Sequence, residues 1–292
     1  MQHEFKITRA FRRNGVLLAV FLSLFSFTVA ADVNSARGVM ENQANPLIVI
    51  SSSEGDIYLE LYAQDAPRNV ANILALINGG LEIVDPASGQ IFSPQYYDGM
   101  RFHRVIPGLL IQTGSPRHSV FGDPQQSLAD EINARGLALD RMPLILEDGS
   151  FNPVLPISNR SDLEELVLVP LYRRMNLESN NNIAANEHDI AARLQALTVM
   201  QVYENLGYRY TEQFSTRPFG PGTVALANSG PNTNGPEFFI NVSNESQWLN
   251  GRYTVIGRVV EGMEVVDQIN QTAIDTLGPS TQGTVIYRIR QL

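Results

Sequence analysis

Between Tyr96 and Pro116 the chain reads YYDGMRFHRVIPGLLIQTGSP, and Arg104 sits within an apolar run, with Phe102 before it and Val105, Ile106, Leu109, Leu110 and Ile111 after it. An arginine so placed is either a surface residue whose stem snorkels along apolar neighbours or a charge held in an apolar groove. β-Branched and aromatic residues flank the Pro107-Gly108 break. This pattern predicts a strand, a turn and a return strand across Met100 to Gln112. Any fold for the chain must therefore accommodate a hairpin that carries a cation on one face.

Structure is expected from Pro46 onward, with residues 32–45 read as a loose polar leader. Leu47 to Ile50 and Asp56 to Tyr62 predict a β-hairpin with one buried face, because Ile57, Leu59 and Leu61 alternate with Tyr58, Glu60 and Tyr62. A helix follows, with Asp65 as its cap, Pro67 in its first turn, Val70, Ile73, Leu74 and Ile77 on one face, and Gly79-Gly80 at its end. Residues 81–95 read as a surface loop. Farther on, Leu163 to Met175 is helix or strand with a break at Pro170, and Glu178 to Asn182 reads as solvated linker. Glu187 to Leu206 predicts a helix with two staggered apolar stripes. Such a helix is either gripped from different sides at its ends or bent near Thr198. Strands are expected again at Gly222 to Asn228, Glu237 to Val242, Tyr253 to Val260 and Val285 to Gln291, with a short helix around Met263 to Ile269. Their spacing suits a closed antiparallel barrel.

The N-terminus predicts export. Lys6, Arg9, Arg12 and Arg13 precede an apolar run from Val16 to Ala30, followed by Ala31, the layout of a secretory signal peptide over 1–31. At about fifteen residues the run is short of the roughly twenty that a spanning helix needs. A periplasmic destination with no stable membrane association after cleavage is expected, and an uncleaved inner-membrane anchor is the alternative. Losing that segment takes the formal charge from -9 to -12, which argues against nucleic acid as a partner. The absence of cysteine excludes disulfides, thiolate metal sites and cysteine nucleophiles. Ser115 and Ser229 lie in no Gly-x-Ser-x-Gly frame, and the Gly230 to Gly235 stretch lacks a following Lys-Ser/Thr. His103 has no sequence-visible metal partner and reads as a buried structural residue.

Together, FHRVIPG, the SGPNTNGPEFFI segment and WLNGRYTVIGRVVEGMEVVD, in this order, resemble the cyclophilin family of peptidyl-prolyl cis-trans isomerases. The resemblance implies a mainly β fold: a closed eight-stranded antiparallel barrel flanked by helices, over residues 46–292. A partly helical insertion at about 117–219 interrupts it, where only LADEIN at Leu128 to Asn133 echoes the family. By the same resemblance Arg104, Gln112 and Phe239 are the catalytic residues, and Leu109, Leu110, Ala227, Asn228, Glu237, Trp248, Leu249 and Tyr253 bind substrate. The implied partners are flexible proline-containing polypeptides, with a monomer as the expected state. Prolyl isomerisation breaks no bond and needs no metal or cofactor.

Four positions depart from the family pattern. Leu109 and Leu110 replace Phe and Met, Tyr253 stands where His is frequent, and Glu237 stands where Gln is usual. An ionised carboxylate accepts hydrogen bonds but donates none, so acidic residues flanking the substrate proline are expected to be disfavoured. The alternative function is a peptide-binding or chaperone module with little isomerase activity, acting through the insertion.

Overall fold

The computed structural model describes residues 32–80, 82–84, 88–120, 123–124, 127–272 and 283–292. The expected signal segment lies outside them. Eight strands form one antiparallel sheet: β1 (Leu47–Ser52), β2 (Gly55–Leu61), β5 (Arg104–Ile106), β6 (Leu110–Thr113), β7 (Thr223–Leu226), β8 (Phe238–Asn241), β9 (Val255–Glu261) and β10 (Ile286–Gln291). Their order is β10-β1-β2-β9-β7-β8-β6-β5. The two edges then meet. Arg101 bridges Val285, and Phe102 N–H donates to Thr284 O at 3.1 Å while Ile286 N–H donates to Met100 O at 2.8 Å. The sheet thereby curls into the expected barrel and leaves no free ladder edge at the join.

Alternation along the strands decides what fills the barrel. Ile48, Ile50, Ile57, Leu59, Leu61, Ile111, Val224, Phe238 and Ile240 point inward, and two helices pack on the same core, which Tyr96, Tyr97 and Phe102 join. Helix α2 (Pro67–Asn78) contributes Val70, Ile73, Leu76 and Ile77, and helix α8 (Met263–Gln271) contributes Val265, Val266 and Ile269. Gly79 ends α2 in the left-handed region at φ 69°, as expected. The cap at its other end differs from expectation. Ala66 occupies the N-cap position, Asp65 instead accepts from Arg217 Nε at 3.0 Å, and the Glu131 carboxylate accepts from the N–H groups of Arg68 and Asn69. A carboxylate brought from a distant loop meets the orphan donors and the positive end of the helix dipole.

Two further expectations are corrected on the outside of the hairpin. The second face of β2 is also buried, with Tyr58, Glu60 and Tyr62 at 7%, 0% and 4% exposure. For Tyr58 and Glu60 the reason is the leader, which is docked rather than loose, whereas Tyr62 lies under the Arg217 guanidinium, 4.3 Å from its ring centre. Helix α1 (Val33–Gly38) and Met40 pack on Leu47, Val49 and Tyr58. The Glu60 carboxylate accepts from Glu41 N–H, Asn42 N–H and Asn45 Nδ2, all within 3.0 Å.

The expected surface loop at 81–95 holds a two-strand pair, β3 (Ile83–Val84) with β4 (Ile91–Phe92), whose Val84, Ile91 and Phe92 are exposed. The insertion has its own core, built on Leu139, Leu144, Val199, Val202 and Tyr203. Its 160–174 stretch is helical throughout: α3 (Arg160–Leu163), a π turn (Glu164–Leu168) and α4 (Val169–Arg174). The wide turn lies just before Pro170, which has no N–H to continue an α ladder. Glu178 to Asn182, expected as linker, is exposed but leads into helix α5 (Asn180–Ala185) behind the Ser179 cap. The long helix expected over 187–206 is two helices, α6 (Glu187–Ala196) and α7 (Val199–Asn205), broken at the expected bend. Thr198 there forms a capping box with Gln201. Among the described residues no helix is long and apolar enough to cross a membrane.

Candidate active site

Strand register assembles the site on the outer face of the barrel. Arg104 lies opposite Gln112 across β5 and β6, Gln112 opposite Phe239 across β6 and β8, and Phe239 opposite Ala225 across β8 and β7. Directly opposed residues share a face, so a guanidinium, an amide and an aromatic ring stand in one row. Phe239 is 2% exposed and is the floor. The Tyr253 ring meets it edge to face at 5.4 Å.

A cavity of about 120 Å³ opens over this row, lined by Arg104, Ile106, Leu109, Leu110, Gln112, Ala227, Asn228, Phe239, Trp248, Leu249 and Tyr253. Every residue expected at the site is among them except Glu237, and Ile106 is an addition. Ile106 follows Arg104 by two in the same strand, so the alternation of β5 was enough to place it. Phe219, also not anticipated, belongs to the same apolar cluster and stacks on Phe239 at 5.9 Å.

Glu237 lies beside the cavity. Its Oε1 accepts from Gln112 Nε2 at 2.6 Å and from His103 Nε2 at 2.9 Å, while Gln112 Oε1 accepts from Arg104 Nη1 at 2.8 Å. Burial pushes the Glu237 carboxyl up, but the hydrogen bonds from His103 and Gln112 and the nearby Arg104 charge leave it below the ordinary glutamate value. An ionised Glu237 can only accept, so the Gln112 amide must turn its NH₂ toward it and its oxygen toward the guanidinium. His103 is therefore more than packing. Its ring also stacks on His118 at 4.7 Å, and burial and His103 together lower the His118 pKa.

A second cavity, of about 420 Å³, adjoins the first and shares Gln112, Ala227 and Asn228 with it. Glu237 and Asp123 line this one, together with Pro116, Ser127, Ser229, Thr233, Gly235 and Pro236, and among the described residues no cationic side chain does. The Asn228 side chain is committed within the protein: its Nδ2 donates to Arg252 O at 2.9 Å and its Oδ1 accepts from Gly230 N–H at 3.3 Å.

The family model described as "Cyclophilin type peptidyl-prolyl cis-trans isomerase/CLD" matches residues 47–291. Peptidyl-prolyl cis-trans isomerase B of Streptomyces anulatus is 28% identical over 76% of this chain and 82% of its own length. A probable peptidyl-prolyl cis-trans isomerase A of Mycobacterium leprae is 28% identical over 84% of this chain and 91% of its own. A crystal structure of a Cryptosporidium parvum cyclophilin type isomerase in the presence of dipeptide Ala-Pro is 19% identical, with a TM-score of 0.44, over 84% of this chain and 98% of that one.

Proposed function

This chain belongs to the cyclophilin-type peptidyl-prolyl cis-trans isomerases, and from that premise we propose that the row Arg104–Gln112–Phe239 is what twists the X-Pro bond. The barrier to be lowered is amide resonance, roughly 18–20 kcal/mol for a peptide bond, and uncatalysed X-Pro exchange takes tens of seconds or more. Only contacts stronger to the twisted imide than to either planar form accelerate the step.

The proline ring enters the apolar cavity against Phe239, Leu110, Leu249 and Tyr253. Twisting removes delocalisation into the carbonyl and leaves the imide nitrogen more basic. Arg104 donates to that nitrogen. Gln112 holds the guanidinium from one side and Ala227 and Asn228 lie where an extended substrate backbone can run. A charge-assisted hydrogen bond is worth about 1.5–3 kcal/mol, or about ten- to 150-fold in rate. The observation that carries this reading is the 2.8 Å contact between Arg104 and Gln112 directly over the Phe239 floor. NMR exchange spectroscopy on an Ala-Pro peptide tests it, with Arg104→Ala as the comparison.

The substrates are flexible proline-containing segments of exported proteins, and the enzyme acts in the periplasm after signal cleavage. The support is the basic-then-apolar N-terminus. N-terminal sequencing of the mature protein tests it, and an intact Met1 would contradict cleavage.

A further inference from the structure

We propose that the insertion is a positioning arm of the active site, and that Tyr210 is the residue through which it sets the wall of the proline cavity; this rests on the isomerase reading. Leu249 and Tyr253 face the cavity. The three residues between them also touch the insertion. This turn precedes β9, which begins at Val255, and the barrel holds it only at its end, through Leu226 N–H to Thr254 O at 3.0 Å and Asn228 Nδ2 to Arg252 O at 2.9 Å.

Each of the three receives a contact from the insertion. Asn250 Oδ1 accepts from Phe219 N–H at 3.0 Å. Gly251 O accepts from Tyr210 Oη at 3.0 Å. The Arg252 guanidinium hydrogen-bonds the Tyr208 hydroxyl and lies 5.8 Å from the Tyr253 ring centre. Gly251 also marks how close the two parts come. At φ 79° it sits in the left-handed region, and a Cβ there would lie 2.5 Å from Leu139 Cδ1 and 3.3 Å from Tyr203 Cδ2. Leu139 and Tyr203 are fully buried members of the insertion's own core.

The rings continue the connection. Tyr203 meets Tyr208 edge to face at 5.9 Å, and Tyr208 stacks on Tyr210 at 6.4 Å. On the cavity side Tyr253 meets Phe239 edge to face, and Phe219 stacks behind that same ring. The packed core of the insertion thus reaches the substrate pocket through one turn, and a shift of Tyr210 moves Tyr253 and Leu249 while leaving Arg104 and Gln112 on their own hairpin. The consequence is a separation of effects: the arm governs how well the proline ring is held, and the β5–β6 pair governs the twist.

Tyr210→Phe removes one hydroxyl and keeps the ring stack. With the full chain and an Ala-Pro peptide, the expected result is a KM raised about three- to tenfold as the cavity wall shifts, with kcat within about twofold and a Tm lowered by no more than about 2–4 °C, the cost of one hydrogen bond. Tyr208→Phe, which frees Arg252, is expected to do the same. An unchanged KM in both folded variants would overturn the proposal, as would a lowered Tm with an unchanged KM. Peptide affinity read from the fluorescence of Trp248, the only tryptophan, separates this claim from the isomerase reading. If the parent binds peptide without turnover, the isomerase reading fails, and a weakened affinity in Tyr210→Phe still supports the arm while an unchanged one overturns it.

Discussion

Gln112 Nε2 donates to Glu237 Oε1 at 2.6 Å, so a carboxylate fixes which way the amide faces and thereby presents its oxygen to Arg104. A glutamine at 237 can accept the same bond but can also turn and donate, which leaves the orientation to His103. Glu237→Gln is therefore expected to keep kcat/KM within a few-fold. Glu237→Met, which can accept neither bond well, is expected to lose about tenfold, the worth of one charge-assisted hydrogen bond. Steady-state kinetics on the two variants checks the order.

The same carboxylate sets a pH dependence. Its folded-state pKa lies below the ordinary value of 4.5, so the network's contribution to stability is fully present above that value and is lost as pH falls through the depressed one. Activity should follow, because a protonated Glu237 gains an O–H donor that competes with Gln112 and His103. The acid limb of kcat/KM is expected below the ordinary glutamate range in the parent and absent in Glu237→Gln. An acid limb of equal position in both would assign it to another group.

The larger cavity predicts a charge preference in the substrate. Glu237 and Asp123 line it and, among the described residues, no cation does. An extended peptide whose proline occupies the smaller cavity passes the shared Gln112, Ala227 and Asn228, so a neighbouring side chain enters the larger one. Partly exposed charge pairs contribute about 0.2–1 kcal/mol. Peptides with Arg or Lys flanking the proline are accordingly expected to have lower KM than Asp or Glu counterparts, by a few-fold at low salt. Equal KM values across the series would remove the preference.

Glu60 predicts how firmly the leader is held. It is 0% exposed, and besides its three donors from residues 41–45 it takes Arg258 Nε at 3.1 Å. Burial pushes its pKa up, yet these donors leave it below the ordinary glutamate value. Breaking a buried pair from one side costs about 3 kcal/mol. Glu60→Ala should lower stability by about that amount and make residues 32–45 cleavable by protease while the barrel persists.

What the sequence made legible was local or repeated. The two-residue alternation of Ile57, Leu59 and Leu61 shows which face of β2 enters the barrel, and Gly79 shows where α2 ends. Thr198 and Gln201 together were readable as a capping box that splits the long helix. The resemblance located the groove, which the register then assembled row by row. Contacts that depend on distant partners were not legible. The leader docks through Val33, Ala36 and Met40 and through backbone N–H groups donated to Glu60, and these three apolar residues in a polar stretch are too few to announce that. Asp65 looked like the cap of α2 because it is adjacent, but folding brings Glu131 to the helix end and gives Asp65 to Arg217. Glu237 reads only as a substrate contact, and its bonds to Gln112 and His103 depend on strands far apart in the sequence.

The central claim is that Arg104, held by Gln112 over Phe239, donates to the twisting imide. The most direct measurement is NMR exchange spectroscopy of a short Ala-Pro peptide with residues 32–292, parent against Arg104→Ala, each checked for folding by its amide spectrum. Catalysed exchange in the parent that falls at least about tenfold in the folded variant, the lower end for a charge-assisted hydrogen bond, is the predicted result. Equal catalysis by the two folded proteins would contradict it.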